Sequence, residues 1–120
     1  MKKSYFDSIP GVVKLASRVA IYVPSTTDTD HTADNRQQVE EVAAKLSAMF
    51  GGATATEARG YWVSQSAGLV GENVTIVYSN AAAEDIENHA AEIVAICHKI
   101  KCEMKQEAVS LEVDGDLFLV

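Results

Sequence analysis

Residues 49–62, which read MFGGATATEARGYW, decide how this chain folds. Met49 and Phe50 are the last apolar residues of a helical pattern. Gly51 and Gly52, which follow, can adopt the left-handed conformation that ends a helix. From residue 53 onward the pattern suits a strand, and this strand carries the chain's single tryptophan, Trp62. The stretch therefore predicts a helix, a turn and a long strand in succession.

On either side, β-branched runs predict strands, and apolar residues at steps of three and four predict helices. The pair Asp114-Gly115 is a two-residue hairpin signal. In chain order we predict strand 18–24, helix 34–50, strand 53–63, strand 69–79, helix 80–105, strand 107–113 and strand 117–120. This β-α-β-β-α-β order plus a C-terminal hairpin strand predicts an α+β, ferredoxin-like sandwich, an antiparallel sheet with two helices on one face. Residues 1–17 are predicted as a short helix or an extended N-terminal arm that packs on a neighbour, and 18–120 as one domain.

The composition limits the classes of function. The 120 residues carry a formal net charge of −7, which argues against binding to nucleic acid or to an anionic membrane surface, because phosphates are bound mainly by clustered Lys and Arg. Cys97 and Cys102 lie five residues apart on one predicted helix, about 140° around its axis, so a disulfide between them is not expected. Free thiols and the lack of a signal peptide or membrane span predict a cytoplasmic protein.

The predicted sheet has one face free of helices. If Val19, Ile21 and Val23 face the helices, then Ala20 and Tyr22 face outward, where small and aromatic residues outnumber charged ones. An outer face exposed to water should be polar. We therefore expect a homo-oligomer, a dimer in the simplest case, in which a second copy covers this face.

Five residues form the predicted ligand site: Glu57, Arg59, Tyr61, Gln106 and Glu107. The first three share one face of a strand, and a guanidinium beside an aromatic ring can bind a carboxylate or phosphate and stack on a planar group. The alternative is an Arg–Glu pair that satisfies itself within the sheet or at a subunit interface.

Metal and cofactor sites are not predicted. Asp28, Asp30, His31 and Asp34 supply hard ligands near the first helix, but the central glycine and distal glutamate of a calcium loop are missing. A solvated loop with a helix N-cap explains these residues as well.

Three separated motifs carry a resemblance to a known family. They are F-x-G-x-T at 50–54, A-R-G-x-W at 58–62 and Q-E-x-V at 106–109. Residues 18–113 thereby resemble an uncharacterised bacterial family known as a domain of unknown function, and the resemblance implies the same order of strands and helices. The chain departs from that family at residues 63–66, where a more acidic, glycine-rich turn is expected, and in its lack of an export signal. No activity comes with the resemblance.

These observations predict a small non-enzymatic binding protein that self-associates through its sheet. Its partner would be another protein or a small anionic ligand, as in an inhibitor or sequestering protein of a mobile element. The alternative is a small enzyme of the dimeric ferredoxin-like type with His89 as general base. A histidine near an apolar helical stripe is also common as a core residue, and a base needs a partner and a pocket.

Overall fold

The computed structural model describes residues 4–27 and 31–120. Within these residues the chain forms a 3-10 helix (Tyr5–Ser8), three α-helices and seven strands. The helices are α1 (Arg36–Phe50), α2 (Ala83–Asn88) and α3 (Ala90–Glu103). The strands are β1 (Ser17–Pro24), β2 (Thr26–Thr27), β3 (His31–Thr32), β4 (Thr54–Ser64), β5 (Gly68–Ala81), β6 (Ser110–Val113) and β7 (Asp116–Leu119).

The main sheet of the described chain has five strands in the order β4-β5-β1-β6-β7, and every neighbouring pair is antiparallel. The short strands β2 and β3 form a separate two-stranded ribbon. This arrangement confirms the predicted α+β class. None of the helices in the described ranges is long and apolar enough to cross a membrane.

The helices and one face of the sheet enclose the hydrophobic core. Val19, Ile21 and Val23 alternate along β1 and are fully buried, as the period of two predicts for residues on one face. They join a single cluster with apolar side chains of β5, β6 and all three helices, including Val77, Leu111, Val42, Leu46, Ile86, Ile93, Cys97 and Ile100. We call this the inner face of the sheet, and the opposite side the outer face.

The stretch at residues 49–62 folds as predicted. Gly51 has a φ of 90°, and its N–H donates to the carbonyl of Ser47 at 2.7 Å, which ends α1. Strand β4 then pairs with β5 along its whole length, out to Ser64 opposite Gly68. The C-terminal turn is also confirmed, since Asp114 and Gly115 have φ values of 51° and 88° between β6 and β7.

The second predicted helix is wrong in one respect, because it is broken at His89 into α2 and α3. The ring Nδ1 of His89 donates to the backbone carbonyl of Asp85 at 2.8 Å, and the backbone N–H of His89 contacts the same carbonyl at 3.2 Å. A side chain that competes for a helical carbonyl weakens the regular helical hydrogen bond. The sequence pattern does not reveal this local competition.

Candidate functional site

The outer face carries a pocket of about 220 Å³ beside the end of β1. Four neighbouring strands, β4, β5, β1 and β6, and the segment just before β6 contribute to it. We call it the outer-face pocket, and its lining residues are Tyr22, Pro24, Gly60, Tyr61, Trp62, Glu72, Val74, Gln106, Ala108, Val109 and Ser110. The antiparallel register accounts for this grouping, since Gly60 pairs with Glu72 and Pro24 pairs with Val74.

Glu72 is the acidic side chain in the lining of this pocket, and a chain of hydrogen bonds holds it. Its Oε2 accepts a hydrogen bond from the hydroxyl of Thr26 at 2.9 Å. The backbone carbonyl of Thr26 in turn accepts from the Nε2 of Gln106 at 2.8 Å. The same nitrogen of Gln106 donates to the Met104 carbonyl at 3.0 Å. Because these bonds occupy the amide nitrogen, the carbonyl oxygen of Gln106 is the atom suited to accept a hydrogen bond from a bound molecule.

Tyr22 is held in the pocket by a second acidic residue. Its hydroxyl donates to Oε1 of Glu112 at 2.7 Å. This hydrogen bond, together with partial burial and the nearby negative charge, raises the pKa of Tyr22 above its ordinary value. The phenol therefore stays protonated, with a fixed orientation, throughout the neutral pH range.

Aromatic side chains give the outer-face pocket its shape. Tyr22 and Trp62 line it from the outer face, and Trp62 is 40% exposed. Tyr61 also borders the pocket, although its ring lies beside Arg59 on the other face of β4. Farther along the outer face the guanidinium of Arg18 lies 4.1 Å from the ring centroid of Tyr78. Aromatic walls beside a carboxylate suit a flat ligand that carries a positive charge.

Three of the predicted site residues lie together. Glu57, Arg59 and Tyr61 occupy alternate positions of β4, and the Arg59 guanidinium lies 5.6 Å from the Tyr61 ring centroid. Arg59 Nη1 donates to Oδ1 of Asn73 at 3.0 Å, so its hydrogen-bond partner is this amide and not Glu57. Gly71 permits the arrangement, since a Cβ at this position would lie 2.9 Å from both side chains.

The other two predicted residues are separated from Arg59. Gln106 lines the outer-face pocket, as Tyr61 also does, whereas Glu107 is exposed and lines neither that pocket nor the one beside Glu57. Glu57 lines a second, polar pocket of about 290 Å³ with Asn35, Asn73 and Thr75 among its walls. The five residues thus do not form one site, although the role of each stays a prediction.

Sequence reasoning missed Tyr22, Trp62 and Glu72 as site residues. Glu72 is a lone charge within the apolar run LVGENVTIVY at 69–78. A charge at one position of an otherwise apolar strand is the signal that marks it, since such a residue needs a polar partner or a ligand.

His89 lies on the helical side of the molecule. Its ring is half-buried and meets Phe50 edge-on, with centroids 5.4 Å apart. It lines neither the outer-face pocket nor the polar pocket beside Glu57. Asp28 and Asp30 of the acidic loop lie outside the described residues, so the alternative of a metal there stays untested.

The fold is similar to that of a phage SAM lyase. The structure of that enzyme in complex with S-methyl-5'-thioadenosine aligns with a TM-score of 0.63 and 22% identity, over 87% of this chain and 88% of the lyase chain. Its apo structure aligns with a TM-score of 0.68 and 20% identity, over 94% and 95% of the two chains. No family model and no curated protein matches the sequence, so the resemblance to a domain of unknown function stays a prediction.

This likeness corrects the main functional prediction. A non-enzymatic binding protein was expected, but the structural neighbours over nearly the whole chain are an enzyme. The alternative, a small enzyme, agrees better with the finding. The outer-face pocket lies at a different place from His89.

Proposed function

We propose that this chain is a lyase that cleaves S-adenosylmethionine in the outer-face pocket. The observation that carries the proposal is the placement of Glu72, a half-buried carboxylate, in one pocket with Tyr22 and Trp62, in a fold similar to that of a SAM lyase. The substrate has a positively charged sulfonium sulfur attached to an adenosine group. Each of these two features has a matching group in the pocket.

The charge of Glu72 suits the sulfonium. A carboxylate attracts an opposite charge more strongly in a partly desolvated pocket than in bulk water. In cleavage without water, the substrate's own carboxylate oxygen attacks the side-chain carbon bonded to sulfur, and a carbon–oxygen bond forms as the carbon–sulfur bond breaks. The bonding electron pair stays on sulfur, so the products are a lactone of the amino-acid chain and a neutral thioether, S-methyl-5'-thioadenosine. The attraction to Glu72 is then lost, which favours release of this product.

The aromatic rings suit the adenosine group. Trp62 and Tyr22 offer flat surfaces on which a purine can stack, a contact worth roughly 1–3 kcal/mol for a base on an aromatic side chain. Rings also attract cations such as a sulfonium through their negative faces. Gln106, anchored through its nitrogen, offers an acceptor oxygen to a ribose hydroxyl or an amino group.

The test is the conversion of S-adenosylmethionine to S-methyl-5'-thioadenosine by the purified chain, followed by chromatography. We expect Glu72→Gln to lower kcat/KM by about 10- to 100-fold, the size of a lost charged interaction. The matched control is Glu57→Gln. Glu57 belongs to the same β4–β5 hairpin as Glu72, but its side chain lies on the opposite face of the sheet, so kcat/KM should stay within twofold of wild type. Failure of the wild-type chain both to form the thioether and to bind the substrate in calorimetry contradicts the proposal.

We also propose that another copy of the chain covers the outer face. The outer-face pocket is smaller than a typical ligand pocket of about 300–1,000 Å³ and is open to one side. A second copy packed on this face would enclose it and bury Trp62. Light scattering at micromolar concentration should give at least twice the monomer mass of 12.9 kDa; a monomer contradicts the proposal.

The finer description of the fold belongs with these proposals. The strand order β4-β5-β1-β6, with α1 connecting β1 to β4 and α2 and α3 connecting β5 to β6, supports a ferredoxin-like sandwich extended by β7. The two free cysteines, Cys97 and Cys102, support a reducing compartment such as the cytoplasm.

A further inference from the structure

An apolar arm precedes the sheet. Residues 4–16 are all exposed and begin with a 3-10 turn that Ser4 and Asp7 cap reciprocally. Six large apolar side chains lie on this arm, namely Tyr5, Phe6, Ile9, Val12, Val13 and Leu15. Val13 is 82% exposed and Leu15 is 50% exposed. So much apolar surface on a short segment points to a partner that covers it.

One edge of the sheet, strand β7, has a matching apolar surface. Strand β7 pairs with β6 on one side, and within the described residues no strand pairs with its other side. Phe118 and Leu119 on this edge are 51% and 72% exposed. Edge strands in stable proteins are usually protected by charge, proline or a covering segment, because their free backbone groups bind other strands.

An apolar groove lies along the inner side of this edge. It has a volume of about 360 Å³ and lies between the β6–β7 hairpin and the helices α2 and α3. All of its lining side chains are apolar, namely Ile86, Ala90, Ile93, Val94, Leu111, Val113, Phe118 and Val120. An extended segment that pairs with β7 would place every second side chain over this groove.

We propose that residues 12–15 of one copy add as a strand to the free edge of β7 of a second copy. Residues 12–16 have no helix or turn of their own, so they are available for strand pairing. Val13 and Leu15 then face the groove, while Lys14 between them faces the other way. This is strand addition, in which backbone hydrogen bonds supply affinity and alternate side chains supply specificity.

The topology directs the arm to a second copy. Strand β1 is separated from β7 by β6, so a strand added beyond β7 lies three spacings of about 4.8 Å from β1, or about 14 Å. Leu15 is two residues before Ser17, the start of β1, and two residues span at most about 7 Å. Within one chain, therefore, Leu15 cannot lie alongside β7, whereas the arm of another copy has no such limit.

The experiment uses disulfide formation between different copies of the full chain. Cys102 is exposed and Cys97 is buried, so Cys102→Ser is the background for every variant. Val13→Cys and Phe118→Cys are made in separate chains, mixed and oxidised, since paired strands hold Cα atoms at about 4.5–5.5 Å, within disulfide range. We expect a covalent dimer that contains one chain of each kind. The matched control mixes Phe118→Cys with Gln65→Cys, at the exposed tip of the β4–β5 hairpin.

Second substitutions in the Val13→Cys chain test the side-chain pattern. Leu15→Asp should slow cross-linking at least about tenfold, because the groove would have to bury a charge. Lys14→Asp, which changes the outward-facing neighbour, should leave the rate within twofold. Cross-linking no faster than the Gln65 control overturns the proposal. An intramolecular disulfide in a single chain that carries both Val13→Cys and Phe118→Cys also overturns the proposal, since it would show that the arm reaches its own β7.

Discussion

The two faces of the sheet are formed by alternate residues of the same strands, but their side chains have different surroundings. On the inner face, Val19, Ile21 and Val23 are fully buried against the helices. On the outer face, the alternate residue Tyr22 is only partly buried, and it reaches a carboxylate instead of a core. The comparison teaches that the inner face maintains the fold, while the outer face has polar and aromatic groups free for a ligand.

The largest expected effect on stability is at the centre of the inner side. Leu46 of α1 is fully buried in the core, so Leu46→Ala should lower the free energy of unfolding by about 2–5 kcal/mol through lost burial and a cavity. The matched control is Leu69→Ala, at the exposed end of β5, which should cost less than about 0.5 kcal/mol. Urea denaturation of both variants measures the difference, and equal losses would contradict the assignment of the core.

A second contrast concerns the two thiols of α3. Burial raises the pKa of Cys97 to about 11, whereas Cys102 is exposed. Because the thiolate is the reactive form, Cys97 should react with a disulfide reagent at pH 8 more than about 100-fold slower than Cys102. Absorbance kinetics should show one fast and one slow thiol, and Cys102→Ser should remove the fast phase. Two equal rates would mean that the helices do not protect the inner face.

A smaller effect is expected from the outer face. Tyr22→Phe removes the hydrogen bond to Glu112 and should cost about 1 kcal/mol at neutral pH. The bond favours the protonated phenol and raises its pKa in the folded state, so its stabilising effect is complete below pH 10 and is lost as the pH rises through the raised value. Thermal denaturation of both proteins should therefore differ at pH 8 and converge at strongly alkaline pH. If the difference in Tm between the two proteins did not change with pH, the loss would come from packing and not from this hydrogen bond.

The smallest effect is expected on the exposed side of the helices. The Lys99 ammonium donates a hydrogen bond to Glu41, which also pairs with Lys45, and these contacts lower the pKa of Glu41 below 4.5. A lowered pKa contributes stability above 4.5 that is lost as the pH falls. Since both lysines are exposed to water, Glu41→Gln should change the Tm only slightly at pH 7. The change should vanish at pH 3 or in high salt, and a large loss would show that this link between α1 and α3 is structural.

Local patterns predicted most of the elements. The alternation at Val19, Ile21 and Val23 predicted β1 and its buried face. Gly51 predicted the end of α1, and the pair Asp114-Gly115 predicted the last turn. These signals act between near neighbours in the chain, through backbone geometry and a period of two or 3.6 residues. The break at His89 was missed because it depends on one side-chain hydrogen bond that apolar periodicity does not encode.

The candidate site was predicted poorly for a different reason. Glu72 depends on Thr26, 46 residues away in the chain, and Thr26 is bonded to Gln106, 80 residues away. Arg59 was the more conspicuous residue, but its partner is Asn73 across the β4–β5 hairpin. Charge and residue type identified groups able to bind ligands, without showing which of them share a pocket.

The amino-acid sequence by itself determined the α+β class, the buried face of β1 and the two glycine-dependent turns, because each follows from interactions within a few residues. The tertiary structure alone decided that Tyr22, Trp62, Glu72 and Gln106 line one pocket, because strand register and order bring together residues that are distant in the chain. The same strand order left β7, among the described residues, as a free edge that Leu15 of its own arm cannot reach.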